Sequence, residues 1–534
     1  MTPHESNGDT AGNAGLQGDF GLHGDFGLHG DFGLLSPVSA SPLVAALTGD
    51  RAVLAAILRV EAAWATVLEG ASLAPAGSAA VVAVAADVSR YDLPDLAVRA
   101  QGGANPVIPL LADLRGQVAA LDTAGIGAGQ AVHTSLTSQD VLDSALILLA
   151  RDAVRGLLTE LKAATAALAA LAEQHADTLC VGRSLTQHSL PFSFGLKAAQ
   201  WFHGLAAAAR RLEALKFPVQ TGGAAGTLAA GTVLTAGSDL SPFDLSDRLA
   251  AELGLAAVPA PWHTNRLAVT SLGDALAAVT DAAGKVASDV LFLSRPEVAE
   301  LAEPRAAGRG GSSAMPQKQN PVLSVLVRSA ALQAPGQAAQ LHLAAANFND
   351  ERPDGAWHSE WPALRQLLRL GLGASVQLRE LAEGLQVFPG AMRRNLDLAG
   401  PLLLSEAVSA AVAPLLAGKS AAGQSGAGQS AADGKRLLQS VVDQTLQVPA
   451  AEQAATYRRL LRDAVPPALL SDARLEELLD PANYLGQAAD ISRRILAAYP
   501  DYSASASASH ADADADAGVH TPLPIPDLNG ASRG

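Results

Sequence analysis

Three separated stretches of this 534-residue chain gather hydroxyls, amides, imidazoles and cations within a sequence otherwise rich in Ala and Leu. The first is His133-Thr-Ser-Leu-Thr-Ser-Gln-Asp140. Thr137 and Asp140 stand at capping-box spacing, which predicts a helix start there. The first amides of a helix, flanked by the hydroxyls of Thr137 and Ser138, form a seat for a carboxylate. Taken alone, the pattern is a helix cap.

The second stretch is Gly182-Arg-Ser-Leu-Thr-Gln-His-Ser-Leu-Pro191. Arg183 and His188 lie five residues apart ahead of a helical pattern, so they could bind an anion and move a proton. The third runs from Gly308 to Pro321 and carries Gly308, Gly310 and Gly311, then two serines, Lys318 and Asn320. Glycines permit positive φ, and a mobile loop with hydroxyls, a cation and an amide can close over a substrate and exclude water.

Helices must position these groups. Leu142, Leu146, Leu149, Ala153, Leu157, Leu161, Ala164, Leu168 and Leu171 recur every three or four residues. They predict one apolar stripe on a helix of roughly eight turns, longer than most globular helices. Ala277–Leu293 and Val322–Leu343 show similar patterns, and no alternating β-branched run competes with them. The expected fold class is all-α, with a central long-helix bundle. Ala and Leu lose little entropy in a helix, and aromatics make up only 4% of the chain.

The formal net charge of −15 argues against nucleic acid as the main partner, though a local cationic cluster can still hold a small anion. The single cysteine, Cys180, cannot form an intrachain disulfide and has no zinc-ligand spacing around it. It reads as a small buried apolar residue, and this cysteine usage fits a cytoplasmic protein. The N-terminus lacks a signal-peptide pattern. The uncharged stretch Phe217–Ser238 is rich in Gly and Thr, so it reads as a turn-rich connection rather than a membrane helix. No membrane or nucleic-acid partner, metal or cofactor is expected.

Gly18-Asp-Phe-Gly-Leu-His23 recurs at once and then almost again up to Leu35, too few copies for a solenoid. Residues 418–434 read as a flexible insert, and the Ser-Ala and Ala-Asp tail after Tyr502 is expected to be disordered.

Gly311-Ser-Ser-Ala-Met-Pro-Gln-Lys-Gln-Asn-Pro321 matches the signature GSSxMPxKxNP at every fixed position, and this resembles the fumarase/aspartase superfamily. The segments at Thr137 and His188 look like that family's other two active-site regions, in the same order. Within the superfamily the chain most resembles the bacterial 3-carboxy-cis,cis-muconate cycloisomerases. Stretches carrying that likeness include Thr137–Asp143, Phe194–Trp201, Gly222–Leu228, Trp262–Arg266, Glu351–Trp357 and Leu479–Gly486.

The resemblance implies a three-domain, all-α homotetramer whose active sites draw on three subunits. It divides the chain into a repeat tail (1–30), an N-terminal helical domain (31–123), a central bundle (124–375), a C-terminal helical domain (376–502) and a disordered tail (503–534). It implies lactonisation of 3-carboxy-cis,cis-muconate to 4-carboxymuconolactone, in the protocatechuate branch of aromatic catabolism (the β-ketoadipate pathway). That is the reverse of proton abstraction alpha to a carboxylate with loss of a carboxylate leaving group, and it needs no cofactor.

By motif position, Ser312 is the first candidate for acid/base and His188 the second. Lys318 and Asn320 would hold the carboxylate next to the proton-transfer carbon. His133, Thr137, Ser138, Arg183, Gln187, Arg266 and Ser313 would contact the substrate, as would Asn105. Many relatives carry a Glu four residues past the final signature Pro, paired with the active-site His, whereas this chain has Val325. That counts against fumarase-, aspartase- or adenylosuccinate-lyase-like chemistry. The alternatives are another superfamily lyase, such as an adenylosuccinate-lyase-like β-eliminating enzyme, and a catalytically inactive helical tetramer.

Overall fold

A computed structural model describes residues 33–417 and 430–504. Most of the GDFGLH repeat, most of the insert and nearly all of the C-terminal tail lie outside the described residues.

Long helices dominate. Helix α1 spans Asp50–Gly70, α2 spans Val107–Leu121 and α3 spans Ser138–Gln174. A hairpin follows, with β1 at Leu179–Ser184 and β2 at Gln187–Ser193, and then α4 at Phe194–Glu213. The bundle continues with α5 (Leu267–Leu293), a two-residue strand β3 (Leu301–Ala302), α6 (Val322–Ala346) and α7 (Ala356–Gly384). Strand β4 (Gln386–Val387) pairs antiparallel with β3 and leads into α8 (Pro389–Ala399).

Helix α3 is the axis of the fold. It has 37 residues, about ten turns, so it is longer than the apolar stripe alone predicts. Its start is fixed locally, because the Asp140 carboxylate accepts the Thr137 N–H at 3.0 Å in the expected capping box. All the stripe residues through Leu168 are buried. The first turns go further, with every residue from Gln139 to Arg151 buried, including Asp140, Asp143 and Ser144. Helices α1, α4 and α7 pack around α3, and α5, α6 and α7 pack on one another. Polar groups enclosed this way need internal partners, which sets up the network behind the site.

The main buried cluster joins residues from Val38 through Met392 and also takes in Tyr502. A second, smaller cluster holds Val408, Val412, Leu438, Tyr457, Leu461 and Leu475. The C-terminal helix Ala488–Ala498 returns to pack on α4, where Tyr499 meets Phe202 and His203 edge-on.

The structure corrects two expectations. The His188 segment is a strand pair, although the sequence showed no alternating β-branched run. Its register pairs Arg183 with His188 and Ser184 with Gln187 across a two-residue turn. The turn residues Leu185 and Thr186 both have positive φ, 49° and 70°, as a tight hairpin turn demands. Neither is the Asn-Gly type that signals such a turn, so the sequence hid it. The expected insert 418–434 also runs too far. A helix starts at Ala431, with Ser430 and Asp433 forming a capping box that fixes its start. Cys180 is buried, as expected. Among the described residues no single helix is long and apolar enough to cross a membrane.

Candidate active site

The signature loop is held at its base. The Glu303 carboxylate accepts the N–H groups of Leu323 and Ser324 at 3.0 and 2.7 Å, which caps α6 just beyond the loop. Gly310 O accepts both the backbone N–H and the side-chain amide of Asn320, at 2.8 and 3.1 Å. Gly310 has φ +67°, and a Cβ there would lie 2.5 Å from Asn320 O, so the closure requires glycine. Gly311 bridges to Gln319, which makes the intervening residues a closed loop. Ser312 Oγ accepts the Met315 N–H at 3.2 Å. Ser313 and Lys318 are exposed, and Lys318 makes no ion pair among the described residues. A cleft of ≈ 210 Å³ lies at the loop base, lined by Glu303, Arg305, Arg309, Gln319 and Asn320 among others.

His188 and Gln187 lie exposed at the start of β2. The Gln187 amide donates to Thr186 Oγ1 at 3.3 Å. Partial desolvation at the foot of the turn lowers the His188 pKa and the Arg183 charge lowers it further, while Glu300 opposes them. Arg183 itself is engaged internally. Its guanidinium grips Glu300 at 2.6 and 3.3 Å and lies 5.3 Å from the Phe292 ring.

In the first segment, His133 Nδ1 is 2.7 Å from Oε1 of Glu61, a fully buried residue of α1. His133 and Ser135 both have positive φ, 61° and 66°, a conformation uncommon outside glycine and often found at functional sites. Thr137 and Ser138 are half-buried at the mouth of α3. Sequence reasoning missed Arg352 beside them. Its Nη2 donates to Thr137 Oγ1 at 2.6 Å and its Nε to Gln139 Oε1 at 3.3 Å. Arg352 is exposed and has no carboxylate partner among the described residues. A cation beside a helix N-terminus suits an anionic group. The stretch Glu351–Trp357 contributed to the family resemblance, and that was its only signal.

Two candidate contacts are used internally. Arg266 is buried and every N–H of its guanidinium is engaged. Nε and Nη2 donate to Glu360, Nη1 and Nη2 to Asp143, and Nη1 also to His263 O. No donor is left for a substrate, so Arg266 braces α3 against α7. Burial alone would lower its pKa, but the two carboxylates more than offset that and hold it charged. Asn105 is also buried. Its side chain closes its own turn, donating to Gly103 O at 3.1 Å and accepting the Val107 N–H at 3.1 Å ahead of α2.

A glycine-rich turn backs the first segment. Asp140 accepts the Gly223 N–H at 2.9 Å, and burial pushes its pKa up to about 7. The ring of His263 packs on this turn, where a Cβ on Gly222 would lie 2.6 Å from Nδ1. Neither His263 ring nitrogen has a hydrogen-bond partner among the described residues, and burial pushes its pKa down to about 4.

No side-chain hydrogen bond or ion pair among the described residues joins the three segments. Each presents its groups from a different element: the mouth of α3, the β1–β2 tip, and the loop before α6.

The family model described as lyase matches residues 55–336. The chain is 43% identical to nitrosuccinate lyase of Streptomyces davaonensis over 475 residues, covering 88% of this chain and 94% of that protein. It is 36% identical to 3-carboxy-cis,cis-muconate cycloisomerase of Bradyrhizobium diazoefficiens over 469 residues, covering 86% and 97%. The crystal structure of 3-carboxy-cis,cis-muconate lactonizing enzyme from Pseudomonas putida superposes with a TM-score of 0.76 at 34% identity, covering 88% of this chain and 100% of that one. With its intact signature loop and long-helix bundle, the chain belongs to the fumarase/aspartase superfamily and is an enzyme of the lyase or isomerase type.

Proposed function

We propose that this enzyme moves one proton at a carbon alpha to a carboxylate while a weakly basic anion leaves, or adds at, the neighbouring carbon. The signature loop carries this reading. It presents Ser312 for proton transfer, with Lys318 and Asn320 to stabilise the enolate-like carboxylate. Thr137, Ser138, Arg352 and His133 would bind a second acidic group, and His188 with Gln187 would face the reacting carbons. No side-chain hydrogen bond or ion pair joins the three segments among the described residues, which supports a homotetramer with sites shared between subunits; the substrate in this reading is a small polycarboxylate and the location the cytoplasm.

The leaving group follows from Val325. That residue is half exposed on the first turn of α6 and offers no carboxylate to polarise a histidine. Hydroxide or an amine needs a proton to depart, so such a leaving group calls for a strong acid partner. Nitrite and carboxylate leave as stable anions and need none. The adenylosuccinate-like reading is therefore the weaker one.

Two substrates satisfy this chemistry. Nitrosuccinate, losing a proton and nitrite to give fumarate, is supported by the 43% identity to a nitrosuccinate lyase. Lactonisation of 3-carboxy-cis,cis-muconate, expected from the sequence, is supported by the 36% identity and the TM-score of 0.76 to enzymes named for that substrate. We rank nitrosuccinate first because its relative is the more similar over a comparable length. The test offers both substrates to the purified protein, following nitrite release in one and loss of diene absorbance in the other. Nitrite release with the diene unchanged supports the first reading, and the converse supports the second. Turnover of adenylosuccinate alone would sink both.

A further inference from the structure

Position 325 offers no carboxylate, but a buried one, Glu300, is tied to the His188 hairpin through Arg183. Glu300 is buried at the junction between α5 and β3. Its backbone is pinned on both sides, with its N–H donating to Leu293 O at 2.9 Å and its carbonyl accepting the Phe388 N–H at 3.0 Å. Its carboxylate accepts from Nη1 and Nη2 of Arg183 and, at 2.7 Å, from the Asn395 amide on α8. Asn395 also donates to Val298 O at 2.8 Å. Arg183 is the cross-strand partner of His188. Three residues after Glu300, Glu303 caps α6 and closes the base of the signature loop. One short segment therefore anchors both the hairpin and the loop.

We propose that Glu300 is a positioning residue that, through Arg183 and Asn395, fixes the His188 hairpin to the short segment whose Glu303 closes the base of the signature loop, and places a carboxylate charge near His188. The role rests on the reading of His188 and the loop given above. A buried ion pair is a poor source of net stability, so the role proposed for this one is geometric: Glu300 holds Arg183 while its carboxylate is itself held by Asn395. The hairpin benefits from such an anchor. Its tip is exposed, Leu185 at 94%, and its turn is strained by two positive φ angles at non-glycine residues. Among the described residues, the charged groups acting on His188 are Arg183 from β1 and Glu300 from the α5–β3 junction, and they act in opposite directions.

That opposition supplies the test. Wild type, Glu300→Gln, Arg183→Met and the double variant Arg183→Met/Glu300→Gln are assayed as full-length protein. The substrate is nitrosuccinate, or 3-carboxy-cis,cis-muconate if wild type turns over that one, and kcat/KM is recorded against pH. Glu300→Gln leaves Arg183 unopposed, so the His188 limb is expected to move to lower pH. Arg183→Met leaves Glu300 unopposed, so the limb is expected to move to higher pH. Each shift should be on the order of half a pH unit. The double variant should return the limb toward wild type while kcat stays low, because the anchor is still lost. If Glu300→Gln does not fold, the upward shift in Arg183→Met and the restored limb in the double variant carry the test. Unchanged limbs, or shifts in one direction for both single variants, overturn the proposal. If His188→Ala retains the wild-type rate, the reading of the site itself fails, which is a distinct result.

Discussion

The guanidinium of Arg266 meets the Asp143 carboxylate in a two-pronged ion pair with contacts of 2.8 and 3.0 Å, and both side chains are shut off from solvent. Trp357 Nε1 also donates to Asp143 at 2.9 Å. Arg266 thus belongs to a brace joining α3, α5 and α7. Replacing it with Met strands two buried carboxylates. Arg266→Met is expected to cost about 3–5 kcal/mol of folding stability, measured by denaturant unfolding. A near-normal midpoint with a raised KM would return Arg266 to the substrate.

The loop residues should behave in the opposite way. Ser312→Ala and Lys318→Ala sit on an exposed loop, so stability should change by less than about 0.5 kcal/mol. Each should lower kcat/KM by about 100-fold or more. Thermal unfolding alongside steady-state kinetics separates the two effects. Near-normal rates in both variants would make the loop a structural feature only.

Gly310→Ala tests the loop's closure rather than its chemistry. The new methyl would collide with Asn320 O, at a φ that L residues rarely adopt. The expected result is a fall in kcat resembling that of Asn320→Ala, with little change in the thermal midpoint. Full activity would show that the 310–320 closure does not hold Asn320 in place.

Arg352 makes a prediction about binding. Its hydrogen bonds to Thr137 and Gln139 aim it at the mouth of α3. Arg352→Met is expected to raise KM about tenfold or more with a smaller change in kcat. A fall in kcat at constant KM would place the group at the reacting atoms instead.

His263 gives a pH-dependent outcome. Burial pushes its pKa down to about 4, below the ordinary value of 6.5, so the folded protein holds it neutral. The unfolded chain takes up its proton first as pH falls. The stability linked to this group is therefore present above pH 6.5 and is lost as pH drops toward 4. His263→Leu removes the titration and two unpartnered nitrogens, and should flatten the decline in thermal midpoint across that window. An equally steep decline in the variant would assign the acid sensitivity to other groups.

Much of this protein is legible in the sequence because the relevant physics is local. The α3 cap depends on residues three apart, the apolar stripe on helical spacing, and the signature on eleven consecutive residues around glycines. These local features determine the bundle, the start of its axial helix and the loop that carries Ser312, Lys318 and Asn320. Where a charged side chain goes is not local. Arg266 and Asp143 are 123 residues apart, and Arg183 and Glu300 are 117 apart. An arginine in a candidate site segment reads as a substrate contact until the fold brings a buried carboxylate to it. The strand pair was hidden for a related reason, because Leu185 and Thr186 accept positive φ only under tertiary constraint. The sequence by itself determined the family, the bundle and the reacting loop. The tertiary structure decided which cations brace the scaffold and which remain to meet an anion, because desolvation and pairing energies exist only after the chain has closed around them.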